Sequence, residues 1–127
     1  MAGRIYLTQA DIRELQLAKG AVAAGVRILL ERSSAGPDDL DAVYLAGAFG
    51  NYIGVDSAYG IGLLEVDPSI VISAGNTALR GAKMALMSDE FEPAIELEHV
   101  PLASDPEFQE TFIGCLAFNA ARSTVRR

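Results

Sequence analysis

The residues best placed to do chemistry in this 127-residue sequence are the pentapeptide Gly47-Ala48-Phe49-Gly50-Asn51 and its shorter echo, Gly75-Asn76. Each follows a short apolar run, Ala42–Ala46 in the first case and Ser69–Ala74 in the second. Runs of that length bounded by turn residues suit strands buried on both faces, as in a parallel sheet. The glycines then fall at the carboxyl edge of such a sheet, where open α/β folds hold their ligands. Glycine there lets backbone approach backbone, or backbone approach a ligand, with no Cβ in the way. Backbone N–H groups at such a turn can bind a phosphate or a ribose without a charged side chain. On this reading Gly47–Asn51 is one wall of a nucleotide site. The competing reading is that both Gly-Asn turns are only tight strand-to-helix connections.

Other catalytic sets are missing from the sequence. No glycine-rich stretch ends in Gly-Lys-Ser or Gly-Lys-Thr, so there is no P-loop, and no serine sits in a Gly-x-Ser-x-Gly elbow. The Gly-x-x-Gly spacing, with a second strand ending in Ala74-Gly75, disfavours a dinucleotide fingerprint. The single histidine, His99, and the single cysteine, Cys115, each lie in a pattern that strand or helix burial explains. One cysteine excludes an internal disulfide and leaves no thiolate set for zinc or an iron–sulfur cluster. Asp11, Asp38, Asp39 and Asp105 occupy helix starts and loops, where capping and solvation account for them.

The elements that must position the glycine turns follow from periodicity. Thr8 and Asp11 have capping-box spacing, and a helix is expected from there to about Glu31. Its apolar stripe is Ile12, Leu15, Ala18/Lys19, Val22, Val26 and Leu29. Gly20 and Gly25 inside it imply a close approach by another element or by a ligand. Val55–Leu64 predicts a short helix capped near Asp56 or Ser57, closed by Glu65–Pro68. Asn76 is an N-cap for a helix over Thr77–Met87 with the stripe Leu79, Ala82 and Leu86. Alternation over Ala94–Val100 predicts a half-exposed edge strand. Ser104-Asp105-Pro106-Glu107 starts a last helix, whose face is Phe108, Phe112, Cys115, Leu116 and Asn119.

Helix and strand alternate with no internal linker, so residues 1–127 are read as a single α/β domain with a partly parallel sheet flanked by helices. Half the residues are hydrophobic and the formal net charge is −7. That composition excludes disorder and argues against nucleic acid or an anionic membrane as partner. No apolar run reaches the roughly 18 residues a membrane span needs, and the N-terminus lacks a signal-peptide core. A cytoplasmic location is expected.

Five blocks, in order, carry a family resemblance: LTQADIRELQLAKGAVAAGVRILLE, VYLAGAFGNYI, AYGIGLLE, AGNTALRGA and FQETFIGCLAF. Together they resemble the C-terminal part of the reductive activators of corrinoid proteins. Members of that family are ATP-dependent iron–sulfur proteins with an N-terminal [2Fe–2S] ferredoxin-like domain and a C-terminal domain similar to the actin, sugar-kinase and heat-shock-chaperone ATPases. They return cob(II)amide to cob(I)amide on a partner corrinoid protein, using ATP. The resemblance implies a ribonuclease-H-like, actin-like ATPase lobe, with the first lobe, the Mg²⁺-handling residues and the cluster ligands outside this chain. It also implies that the loop Gly47–Asn51 contacts adenosine, with Gln16, Lys19 or Gly20 bordering the adenine and Gly75 and Asn76 at the same cleft. A homodimer is among the assemblies considered. Two departures from the family pattern are Ala48, where a glycine is common, and Leu64-Glu65, where Leu-Pro is common. The alternative function is a stand-alone docking domain that binds no nucleotide; a dinucleotide-linked oxidoreductase ranks below both.

Overall fold

In the computed structural model, residues 5–88 and 98–118 are described. Helix α1 spans Gln9–Arg32 and begins as its sequence dictates. The Thr8 hydroxyl accepts from the Asp11 amide at 3.2 Å, and the Asp11 carboxylate accepts from the Thr8 amide at 2.8 Å. This reciprocal pair satisfies two donors that a bare helix start would leave orphaned.

The buried face of α1 is not the expected stripe. Lys19, Gly20, Ala23, Ala24, Gly25 and Ile28 are the buried residues, while Leu15, Val22, Val26 and Leu29 stay 38–46% exposed. The cause is α5 (Phe108–Gly114), which packs on α1 with bulky rings. Phe108 and Phe112 stack at 6.0 Å and press, with Cys115, onto Ala23 and Ala24. Only small residues leave room for two rings at helix contact distance. A Cβ on Gly20 would stand 3.1 Å from Leu116 Cδ2, and one on Gly25 would stand 3.1 Å from Leu102 Cδ1. Both glycines are therefore packing positions.

A 3₁₀ turn over Leu102–Ser104 leads into α5. The Asp105 carboxylate accepts from the Glu107 amide at 2.9 Å and from the Arg32 guanidinium at the far end of α1. The helix itself starts at Phe108, after the Ser104–Glu107 signature. Asn119 lies outside the described residues. So do Ala94–Leu97, most of the expected edge strand, and Glu98–Val100 carry no strand.

The second core belongs to the sheet. Strands β1 (Val43–Ala46) and β2 (Val71–Gly75) pair in parallel, with Val43 opposite Val71 and Tyr44 opposite Ile72. Between them the chain forms two short helices, α2 (Gly47–Tyr52) and α3 (Val55–Gly60). Ala58, Leu63, Leu64 and Val66 are buried, and Val43, Leu45 and Val71 pack on them. The strands were expected to be buried on both faces. One face is covered, whereas Tyr44 is 65% exposed and its neighbour Ile72 is exposed with it. The cap of α3 also differs: Gly54 precedes the helix with no side-chain cap, and its carbonyl accepts from Ala58 N at 2.9 Å. Helix α4 (Thr77–Met87) starts as expected, with Asn76 Oδ1 accepting from Leu79 N at 3.0 Å. Its stripe is not buried, however; Leu79 and Leu86 both face solvent.

The two cores are linked by Arg27, whose guanidinium donates to Glu65 Oε2 at 2.6 Å. Both side chains are about two-fifths exposed, so the pair contributes no more than about 1 kcal/mol.

Asp105 gives a pH prediction. The Glu107 amide first, and the Arg32 guanidinium second, hold its carboxyl below the usual carboxylate range against the opposing effect of burial. A lowered native pKa means that the stabilisation is complete above the unfolded value of about 3.9 and is lost as pH falls through the native value. Asp105→Asn is expected to lower the denaturation midpoint at neutral pH and to flatten the acid limb, as read by urea melts across pH. The glycines give a second prediction. Gly25→Ala meets only the end of a flexible leucine and gains up to about 1 kcal/mol of helix propensity. Gly50→Ala would place its Cβ 2.8 Å from the Leu45 carbonyl carbon. It is expected to destabilise by about 1–3 kcal/mol in the same melts.

Candidate functional site

Both parallel strands end on a left-handed glycine at the same sheet edge. Gly47 has φ +81° and directly follows β1, and Gly75, the last residue of β2, has φ +69°. The register places Ala46 opposite Gly75. At both positions glycine answers to backbone conformation rather than crowding. A Cβ on Gly47 would meet nothing within 4 Å, and one on Gly75 would meet only Asn51 Oδ1 at 3.8 Å. Gly50 is the opposite case, a helical residue jammed against the backbone of Leu45.

The segment read from sequence as a glycine loop is a helix. Gly47 turns the chain, and Ala48, Phe49, Gly50 and Asn51 lie within α2. The helix can form this early because Gly50 lets it lie directly on the end of β1. From there α2 packs across both strands and carries Asn51 to the turn at Gly75. The two Gly-Asn turns thus converge on one patch, with Ala48, Asn51 and Asn76 exposed on it. The patch has no charged residue in Gly47–Asn51 or Gly75–Thr77. What it offers is backbone amide, side-chain amide and open space above Gly47.

Gln16, Lys19 and Gly20 are gathered elsewhere, at the C-terminal end of α5. Gln16 Nε2 donates to the Leu116 carbonyl at 3.3 Å, and Lys19 Nζ donates to the Ala117 carbonyl. The ammonium also stands 5.6 Å from the centroid of the Phe118 ring. These bonds pair the carbonyls of the two residues just past the C-cap Cys115 of α5, and a cation is favoured near a helix C-terminus. Lys19 is 3% exposed, and burial pulls its amine below the usual lysine value against the opposing influence of Cys115 and Glu65. Every hydrogen bond described for the Gln16 and Lys19 side chains goes to this end of the molecule.

Local spacing had no way to reveal the two ion pairs Arg27–Glu65 and Arg32–Asp105, whose members lie 38 and 73 residues apart. A cleft of about 270 Å³ opens beside the first, walled by Ala23, Val26, Leu30, Leu63 and Val66. Among the described residues no group of His, Cys, Asp and Glu could hold a metal ion, and no helix is long and apolar enough to cross a membrane.

Residues 1–125 match the family described as the C-terminal domain of RACo, the ASKHA domain. The corrinoid activation enzyme RamQ of Eubacterium limosum is 42% identical over 116 residues, which are 86% of this chain and 19% of that protein. The [Co(II) methylated amine-specific corrinoid protein] reductase of Methanosarcina barkeri is 26% identical over 121 residues, 90% of this chain and 22% of that protein. A solved structure of a reductive activator for corrinoid, iron–sulfur protein matches with a TM-score of 0.77 and 33% identity, over 88% of this chain and 19% of its own. The chain spans about a fifth of the length of the curated relatives it matches. Sequence and backbone agree: this chain belongs to the family of the C-terminal, ASKHA domain of RACo.

Proposed function

We propose that this chain forms one wall of the nucleotide cleft in an ATP-dependent reductase that reactivates corrinoid proteins from cob(II)amide to cob(I)amide. The observation that carries the reading is the convergence of two left-handed glycine turns at the carboxyl edge of a parallel pair, in a chain of this family. Within the segment Gly47, Ala48, Phe49, Gly50 and Asn51, the nucleoside would be met by Gly47, Ala48 and Asn51, with Gly50 seating the helix on Leu45, joined by Gly75 and Asn76 from the second strand. Space above Gly47 suits the approach of a ribose or base edge. Gln16, Lys19 and Gly20 would act at one remove, by holding the end of α5.

ATP fits this surface, but its magnesium does not. With no carboxylate in the turns, Mg²⁺ and the phosphates must be handled by the other lobe. A [2Fe–2S] cluster does not fit either, since the sole cysteine, Cys115, is buried under the α5 rings. We assign it to a ferredoxin-like domain of the full-length protein, together with a cytoplasmic location and a corrinoid protein as partner. A docking role without nucleotide is the second reading, and the bare sheet face at Tyr44 and Ile72 favours it.

The experiment is a titration of the labelled chain with ATP and Mg²⁺, followed by amide NMR. We expect shifts at Gly47, Gly50, Asn51, Gly75 and Asn76, with a dissociation constant near ~1 mM and no hydrolysis. Gly75→Ala costs about 1–2 kcal/mol of left-handed strain and should weaken binding. Unmoved resonances at these five residues would favour docking, and robust ATP hydrolysis by these residues alone would sink the assignment. Shifts with NAD but not ATP would point to the oxidoreductase alternative.

A further inference from the structure

The cleft beside the Arg27–Glu65 pair has no part in the nucleotide reading. One wall is α1, and the rest comes from segments that lead into the strands. Ala35, Gly36 and Pro37 precede β1, and Leu63, Glu65 and Val66 precede β2. The glycine turns of the patch lie at the other ends of those strands. Protein interiors leave few voids larger than a water molecule, and about 270 Å³ bordered mostly by alkyl groups holds water poorly. An engineered apolar cavity of about 150 Å³ accepts benzene, so the space here admits a ring with a short side chain.

Charge decides which ligand fits. Arg27 stands on the cleft wall and is committed to Glu65 Oε2 at 2.6 Å. Glu31, one turn further along α1, lines the same cleft and is exposed. The hydrogen bond to Glu65 first, with the Glu31 charge among the weaker influences, holds the Arg27 guanidinium above its usual value against burial. Two carboxylates against one guanidinium leave the mouth with one negative charge in excess. An anion is repelled there, a neutral ligand gains only the apolar walls, and a cation gains both. An ammonium head carries three donors, enough for Glu31 and for the second oxygen of Glu65.

We propose that this cleft binds a small apolar primary ammonium ion, its hydrocarbon body between α1 and residues 63–66 and its head at Glu31 and Glu65. The inference does not rest on the nucleotide assignment.

The test uses the full 127-residue chain with labelled methyl groups, titrated at low ionic strength with phenethylammonium, phenethyl alcohol and hydrocinnamate. Phenethylammonium is expected to give saturating shifts at Leu30, Leu63 and Val66, with a dissociation constant of about 1 mM. The alcohol should bind about fivefold more weakly, as one exposed charge contact allows, and the carboxylate more weakly still. Added salt should narrow that gap. Glu31→Gln should bring the ammonium down towards the alcohol and leave the alcohol and the far-ultraviolet spectrum unchanged, Glu31 being exposed. Val26→Trp, which fills the mouth from a partly exposed position, should abolish binding of both. Equal affinities for ammonium and alcohol, unmoved by Glu31→Gln, would overturn the proposal and leave a non-selective apolar cleft. Absence of saturating shifts at the three residues would overturn it too, as would binding that survives Val26→Trp. These methyl groups are distinct from the amides read with ATP, so the two assignments succeed or fail separately.

Discussion

The candidate site depends on one close approach, that of α2 to the end of β1. A side chain at Gly50 would collide with the Leu45 backbone at 2.8 Å, so glycine alone allows the helix to begin directly after the last strand residue. Had α2 been held further out, Asn51 would not reach Gly75, and the two strand ends would be unrelated turns. The left-handed glycines solve a different problem: each reverses the chain at a strand end, where an L side chain would cost about 1–2 kcal/mol. Three glycines and a single helical turn therefore build the patch with no charged residue.

The remaining elements serve that patch indirectly. Helices α1 and α5 form a second packed unit whose interface is aromatic on one side and alanine or glycine on the other. Lys19 and Gln16 close the open end of α5, and Asp105 fixes its beginning to Arg32. Burying the Lys19 ammonium is tolerable because a carbonyl and a ring face receive it. The Arg27–Glu65 pair between the units is too exposed to hold them firmly. Between the two units Leu63 and Val66 on one side and Ala23 and Val26 on the other line a partly open cleft.

The sequence was most legible where the determinants are local. The Thr8–Asp11 box, the Asn76 cap, the two parallel strands and the family all read directly from short stretches. It was least legible where a distant segment decides. Periodicity shows that α1 has an apolar stripe, yet α5, some hundred residues away in contacts such as Gln16–Leu116, settles which face is covered. Glycine composition marked the three positions of the patch but could not separate Gly50, which answers to crowding, from Gly47 and Gly75, which answer to φ. The same limit applies to Lys19. The family resemblance places it beside the adenine, while its hydrogen bond goes to a carbonyl at residue 117.

A site made of neutral groups has consequences for how it can work. A net backbone hydrogen bond contributes about 0.5–1.5 kcal/mol, so a few amides and one asparagine can orient a nucleoside but cannot hold a triphosphate. Under the proposed function, the stronger, charge-assisted bonds to phosphate would come from the other lobe. The exposed apolar faces on the sheet and α4 agree with a chain that leaves surface for further protein to cover. A wall of this kind gains affinity only when the opposite wall closes on it. On the proposed reading, nucleotide binding and closure of the two walls would be one equilibrium, the coupling an ATP-driven conformational step requires.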